Sequence, residues 1–262
     1  MEILIPVITL GLLGIIFGVG LAIASKKFEV EIDPRLEKIH SLLPGSNCGS
    51  CGGAGCFGFA EAVLSGKLMI DNCRVANDQA KEEIAKVLGR ELKKRLKTVA
   101  TFHCNGGNKV KDKFIYQGMD DCVAVNLQLG GLKECFYGCL GFGSCVKVCP
   151  FGALKMSNEG LPVVDTKKCK ACNKCVLICP KKLFTLSPIS QAVHVTCCSH
   201  DLGKDTRAVC PVGCIACKLC EKACKFDAIR VIDNLALIDN NKCTSCGECV
   251  KVCPVKCILV RK

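Results

Sequence analysis

The chain opens on an unbroken apolar run. From Ile3 to Ala24, 22 residues carry no charge, enough at about 1.5 Å per residue to cross a bilayer as one helix. Pro6 falls near the first turn, where its missing N–H costs least. Gly11, Gly14, Gly18 and Gly20 would weaken a soluble helix, and Gly14 with Gly18 form the small-xxx-small pair that lets a neighbouring span approach. A cleaved leader is the competing reading, because Ala22-Ile23-Ala24 resembles a cleavage site. Against it, only Met1-Glu2 precedes the run, without the usual Lys or Arg, and the run exceeds a leader's core. The pattern therefore predicts a retained single-pass anchor that meets the lipid bilayer through residues 3–24. Lys26 and Lys27 follow directly and set the rest of the chain on the cytoplasmic side.

Past the anchor, Phe28 to Leu43 alternates charged and apolar residues and reads as a tether. Phe57 to Leu64 predicts a short helix. Asn77 to Leu96 predicts a longer one, because Ala80, Ile84, Val87, Leu88, Leu92 and Leu96 keep a period near 3.6. Further on the chain repeats itself. Pro162-Val163-Val164-Asp165 before Cys169 resembles Ala236-Leu237-Ile238-Asp239 before Cys243. PFGAL after Cys149 is matched by KFDAI after Cys224 and PVKCI after Cys253. Each repeat predicts a small α+β unit of short strands and helices.

Composition changes the picture. Cysteine supplies 26 of 262 residues, with no Trp and two Tyr. A chain so poor in aromatics is not held by one large apolar core and needs cross-links. Scattered disulfides would suit a small secreted chain. Here the cysteines fall into tight blocks, which suits several thiolates converging on one metal centre.

The block spacings select the metal. Three cysteines at x2-x2 spacing reach three corners of a four-iron cube from one loop, and the remote fourth, followed by Pro, ligates the other cluster of the pair. By this crossing rule Cys214, Cys217 and Cys220 take Cys253, and Cys243, Cys246 and Cys249 take Cys224. Likewise Cys169, Cys172 and Cys175 take Cys149, and the looser set Cys135, Cys139 and Cys145 takes Cys179. Zinc also accepts four thiolates, but normally from two separated CxxC pairs. Cys48, Cys51, Cys56 and Cys73 lie apart and make a self-contained site, with [4Fe–4S] the leading cluster type. Five clusters use twenty cysteines. Cys257 stands where the repeats have Ala153 and Ala228 and reads as a small buried hydrophobe. Cys104, Cys122, Cys210 and one of Cys197 and Cys198, with Cys197 preferred, could converge on a sixth cluster if the segments flanking the first module pack together. Buried reduced thiols are the alternative.

The formal charge of +12 does not survive this reading. Four thiolates on a doubly positive core leave each site at about −2, so five or six clusters offset most or all of it. No recognition helix, zinc finger or RNA-binding signature accompanies the charge, so nucleic acid is not an expected partner. There is no GxGxxG fingerprint for a dinucleotide and no P-loop. His40, His103, His194 and His200 show no ligand spacing. The chain is read as moving electrons, with no catalytic residue and no hydride-transfer site of its own.

The anchor, the block CGSCGGAGCFGFAEAV with Cys73, FHCNGG, GCLGFGSCVKVCPFGAL and the run GCIACKLCEKAC to KCTSCGECVKVCP occur in that order. In this the chain resembles, over its whole length, the B-subunit family of the Rnf ion-translocating ferredoxin:NAD oxidoreductases. The resemblance implies an inner-membrane complex in which this subunit takes electrons from reduced soluble ferredoxin on the cytoplasmic side. It would pass them towards membrane-embedded and flavin-bearing subunits and NAD, and the complex would couple this to Na+ or H+ export. A membrane-anchored polyferredoxin of another oxidoreductase or hydrogenase is the alternative. The expected fold is a single N-terminal transmembrane helix followed by small α+β iron–sulfur domains, including two tandem ferredoxin-like double-cluster modules. The expected division is an anchor at 1–27, an N-terminal [4Fe–4S] domain at 28–100 and a connecting segment with candidate ligands at 101–128. A first double-cluster module at 129–190, a second connecting segment at 191–211 and a second module at 212–262 follow.

Overall fold

The computed structural model describes residues 4–28, 33–92 and 96–261. Helix α1 (Leu4–Lys27) stands clear of the rest of the molecule. Its side chains from Val7 to Ile23 are exposed or half-exposed on every face, as expected of a span whose cover is lipid rather than protein. The helix runs through Lys26 and Lys27, past the apolar run, and the two cations complement its C-terminal dipole. Ile3 lies outside the described residues.

From Asp33 onward the segment read as a tether is structured. Asp33 caps helix α2 (Pro34–Leu42) by accepting the Arg35 N–H at 2.8 Å, with Pro34 at the first position. Leu36, Ile39 and Leu43 recur on one face and bury against α3 (Gly55–Leu64) and α4 (Asp78–Leu88), packing with Phe59, Val63 and Ile84. The tether reading missed this because only Leu36, Ile39, Leu42 and Leu43 carry the packing. Asn77 caps α4 by accepting the Ala80 N–H at 2.8 Å. The helix ends at Leu88, well short of Leu96. Gly89 takes the left-handed conformation (φ 61°) and turns its N–H back to the carbonyls of the last turn, a common helix stop that outweighs the apolar period. Leu92 still packs on this core, whereas Leu96 is exposed. Residues 93–95 of that expected helix lie outside the described residues.

Two α+β units of one plan follow. The first comprises β1 (Thr98–Phe102), α5 (Cys122–Leu127), α6 (Ser144–Lys147), β2 (Leu154–Met156), β3 (Pro162–Val164), α7 (Lys174–Ile178) and β4 (Phe184–Pro188). The second comprises β5 (Val193–Val195), α8 (Gly203–Val209), α9 (Leu219–Ala223), β6 (Ile229–Ile232), β7 (Leu235–Ile238), α10 (Glu248–Lys251) and β8 (Ile258–Val260). In each, the first and last strands pair antiparallel, β1 with β4 and β5 with β8, and the middle strands form a hairpin. After each hairpin the same turn delivers the next cysteine. The Asp165 N–H donates to Ala153 O and the Cys169 N–H to Asp165 O. The Asp239 N–H likewise donates to Ala228 O and the Cys243 N–H to Asp239 O. Strands β1 and β5 lie upstream of the cysteine blocks, so each unit draws in part of what the sequence suggested was connecting chain.

The cores are small, and thiols supply much of them. Val99, Ala153, Leu154 and Phe184 pack with Cys145, Cys169 and Cys175, and Val193, Ile229, Leu235 and Ile258 pack with Cys214, Cys220, Cys249 and Cys257. Cores of this size need cross-linking. The two units are also tied to each other. The Arg261 guanidinium donates to Thr101 Oγ1 and Ser187 Oγ at 2.6 Å each and to Pro188 O at 3.2 Å. His103 Nδ1 lies 2.7 Å from Val195 O and Nε2 2.7 Å from Thr185 Oγ1. Since a carbonyl only accepts, Nδ1 carries the proton.

Candidate metal centres

All 26 cysteines are free thiols, and the fold gathers them into sets. Four small cavities are each lined by at least four of them. One is lined by Cys149, Cys169, Cys172 and Cys175, and another by Cys224, Cys243, Cys246 and Cys249. Cys220 lies among Cys214, Cys217 and Cys253. In these three sets the remote cysteine comes from the opposite block, where the crossing rule places it. Cys48, Cys51, Cys56 and Cys73 gather in the N-terminal unit. There Cys51, Cys56 and Cys73 belong to the core, and burial together with Cys51 and Cys48 raises the Cys73 pKa. The Asn47 side chain accepts the Cys56 N–H at 2.7 Å and fixes the loop.

The remaining two sets exchange two of the expected residues. Cys139, Cys145 and Cys179 do line one cavity, but the fourth thiol there is Cys122. Cys135 faces a different cavity, with Cys104, Cys197, Cys198 and Cys210. The reason lies in the backbone. In three loops the middle cysteine is flanked by two residues of positive φ. Ala171 and Asn173 flank Cys172, Ala216 and Lys218 flank Cys217, and Ser245 and Gly247 flank Cys246. In the fourth loop Gly141 (φ 85°) and Gly143 (φ 68°) flank Phe142. The loop Cys139-x2-Phe142-x2-Cys145 thus has the fold of the other triplets, with Phe142 where their middle cysteine stands. Phe142 turns into apolar packing with Tyr116, Val125, Leu132 and Leu140.

Cys122 is brought into that gap by capping. Asp121 caps α5, accepting from the Val123 and Ala124 N–H groups. Its other oxygen accepts the Ser144 hydroxyl at 2.8 Å, and Ser144 Oγ accepts the Cys122 N–H at 2.7 Å. This anchors Cys122 beside Cys145. The signal was present in the sequence as CxxFxxCxxxCP from Cys139 to Pro150. It is hidden by Cys135, which offers a nearer but wrongly spaced thiol.

The cavity that holds Cys135 has a pseudo-twofold origin. Phe102 pairs with Phe184 and Val195 with Ile258, which equates Cys104 with Cys197, each two residues beyond its strand pair. Cys135-x3-Cys139 likewise corresponds to Cys210-x3-Cys214. The hydrogen bonds repeat as well. The Cys139 N–H donates to Cys104 Sγ at 3.5 Å and the Cys214 N–H to Cys197 Sγ at 3.3 Å. Each unit contributes one equivalent pair.

Known proteins match along the whole chain. A family model described as a putative Fe-S cluster matches residues 43–75, and one described as a 4Fe-4S dicluster domain matches residues 135–183 and 213–258. The B subunit of the Na+-translocating ferredoxin:NAD+ oxidoreductase complex of Acetobacterium woodii is 47% identical over 258 residues, covering 98% of this chain and 78% of the relative. The B subunit of the ion-translocating oxidoreductase complex of Methanosarcina acetivorans is 44% identical, covering 95% of each chain. The B subunit of the proton-translocating ferredoxin:NAD+ oxidoreductase complex of Clostridium ljungdahlii is 42% identical, covering 98% of this chain and 92% of the relative. The chain belongs to the B-subunit family of ion-translocating oxidoreductase complexes.

The thiol sets suit the clusters that the family models name. A four-iron cube takes one thiolate at each of four separate iron corners. Backbone donors are already aimed at sulfur. Ala100 N–H donates to Cys169, Leu183 to Cys179, Ala228 to Cys224 and Ser245 to Cys243, each at 3.4 Å. Burial pushes the Cys145 and Cys175 thiols up to about 12 and Cys135, Cys220 and Cys249 up to about 11, with neighbouring cysteines adding to the effect. Such thiols stay protonated until a cationic metal core binds the sulfur as thiolate and the proton is released to solvent. Cys214 and Cys253 run the other way, held down to about 6 and about 5 by a hydrogen bond from Cys257.

Proposed function

We propose that this protein is the electron-transfer subunit of an ion-translocating ferredoxin:NAD oxidoreductase, and that it holds six [4Fe–4S] clusters. The observation that carries this reading is that the six thiol sets adjoin in a fixed order from the anchor end to the C-terminus. Cys48 is near enough to Cys172 to help raise its pKa, and Cys145 acts on Cys175 in the same way. The Cys139 N–H meets Cys104 and the Cys214 N–H meets Cys197. Cys214, Cys220 and Cys249 share one core. When bound, the clusters supply one-electron carriers whose potentials follow hydrogen bonding and exposure.

The residues then divide as follows. Cys48, Cys51, Cys56 and Cys73 hold the first cluster, and Cys149, Cys169, Cys172 and Cys175 the second. Cys122, Cys139, Cys145 and Cys179 hold the third, and Cys104, Cys135, Cys197 and Cys210 the fourth, at the junction of the units. Cys214, Cys217, Cys220 and Cys253 hold the fifth, and Cys224, Cys243, Cys246 and Cys249 the sixth. Cys197 is preferred to Cys198 because it is the repeat equivalent of Cys104 and its sulfur accepts the Ser199 and Cys214 N–H groups. Cys217 and Cys246 are the exposed thiols of the chain, which favours the second unit as the face that receives electrons from soluble ferredoxin. The N-terminal unit, next to the anchor, then faces the membrane and flavin-bearing subunits, on the cytoplasmic side.

The test uses the intact complex in sealed vesicles. Reduced ferredoxin and NAD should react with coupled Na+ or H+ uptake, and complex lacking this subunit should not oxidise ferredoxin. Ferredoxin oxidation at an undiminished rate without the subunit would refute the function. Digestion of its soluble part by protease outside right-side-out vesicles would refute the orientation.

A further inference from the structure

Cys257 is used by none of the six sets. It is almost fully buried, and its sulfur lies 3.7 Å from Cys253 Sγ. It is buried in the same core as Cys214. Four positions in the chain stand four residues beyond a remote cysteine: Ala153, Leu183, Ala228 and Cys257. At Leu183 and Ala228 the backbone N–H donates to the remote sulfur, 3.4 Å in each case. Cys257 stands at the corresponding place relative to Cys253. It differs from the other three only in adding a thiol to an otherwise apolar position.

We infer that the Cys257 S–H is a built-in hydrogen-bond donor to the ligand sulfur of Cys253, and that it raises the reduction potential of that site above that of an otherwise identical one. The inference rests on the reading that Cys214, Cys217, Cys220 and Cys253 hold a cluster. With a cluster bound, Cys253 is a thiolate and can only accept, so the proton between the two sulfurs belongs to Cys257. A donor to a ligand sulfur stabilises the more negative, reduced state and moves the potential upward. Because the group is buried, water neither competes for the bond nor replaces it once it is lost. Cys257 is thus a positioning residue: it touches ligand sulfur and acts through it.

The experiment is an EPR-monitored redox titration of the full chain in its complex, with iron analysis, for the parent protein and for Cys257→Ala, Cys257→Val and Cys257→Ser. Val fills more of the site than Ala without restoring a donor, and Ser restores a donor. In Ala and Val one component of the titration should move down, the ratio of reduced to oxidised centre at fixed potential falling up to about tenfold, or about 59 mV for one electron. Iron should stay at the parental value, and Ser should return the component towards its starting position. An unmoved titration at parental iron overturns the inference. Loss of iron in both Ala and Val also overturns it, since Cys257 would then be needed to hold the site rather than to tune it. Cys253→Ala separates the underlying reading from the inference. If that variant keeps all its iron and its spectra, the assigned ligand set itself is wrong.

Discussion

The exchange of Cys122 and Cys135 can be tested by counting iron. Six cubes give about 24 irons per fully loaded chain, and loss of one site removes about four. Each of Cys122→Ala, Cys135→Ala, Cys139→Ala and Cys210→Ala is expected to lose one cluster. Double variants then show which residues share a site. Cys122 and Cys139 line one cavity, so their double variant should lose no more than either single, about four irons. Cys135 and Cys210 line another and should behave the same way. Cys135 with Cys139 spans two cavities although only three residues separate them, and that pair should lose about eight. Sequence spacing makes the opposite forecast, because it groups Cys135 with Cys139 and Cys122 with Cys210. The assay is iron and sulfide analysis of anaerobically purified, reconstituted protein, with EPR to count the remaining centres. A Cys135→Ala/Cys139→Ala double variant that loses only four irons would refute the structural assignment, and so would eight lost from Cys122→Ala/Cys139→Ala.

Three further outcomes are expected. Cys253→Ala should remove the centre of Cys214, Cys217 and Cys220 while that of Cys243, Cys246 and Cys249 remains, and EPR showing the reverse loss would overturn the crossing. Gly53→Ala should destabilise the N-terminal unit by about 1–3 kcal/mol, because the new Cβ would stand 2.7 Å from the Phe59 backbone. Thermal unfolding within a few tenths of the parent would contradict it. Burial holds the His194 imidazole neutral, down to about 4 from its ordinary 6.5. The unfolded chain therefore binds the extra proton first as pH falls, so this stabilisation is complete above about pH 6.5 and fades towards pH 4. His194→Gln should remove about 1–2 kcal/mol of the stability lost between pH 7 and pH 5, allowing for partial exposure, and parallel pH profiles for parent and variant would count against it.

The sequence alone settled whatever depends on local spacing. An uncharged 22-residue run can satisfy its backbone only as a helix in lipid, and α1 is that helix. A CxxCxxC loop converges its own thiols whatever surrounds it, so the three regular triplets and the repeat they sit in were legible. The short helix over Phe57–Leu64 was legible too, because Phe59, Ala60, Val63 and Leu64 face one core.

What only tertiary structure decided were matters of long-range approach. Gly89 ended a helix that periodicity continued, because one left-handed residue outweighs several apolar positions. Whether Cys122 or Cys135 completes a set depends on which lies nearest in space. That was fixed by the Asp121–Ser144 link and by Phe142 standing in a cysteine's place. The pairing of Cys104 and Cys135 with Cys197 and Cys210 exists only because β1 and β5 start their units alike and Arg261 and His103 lock those units together. Thiols separated by up to about a hundred residues meet through strand register, and strand register is set by partners that a linear sequence does not name.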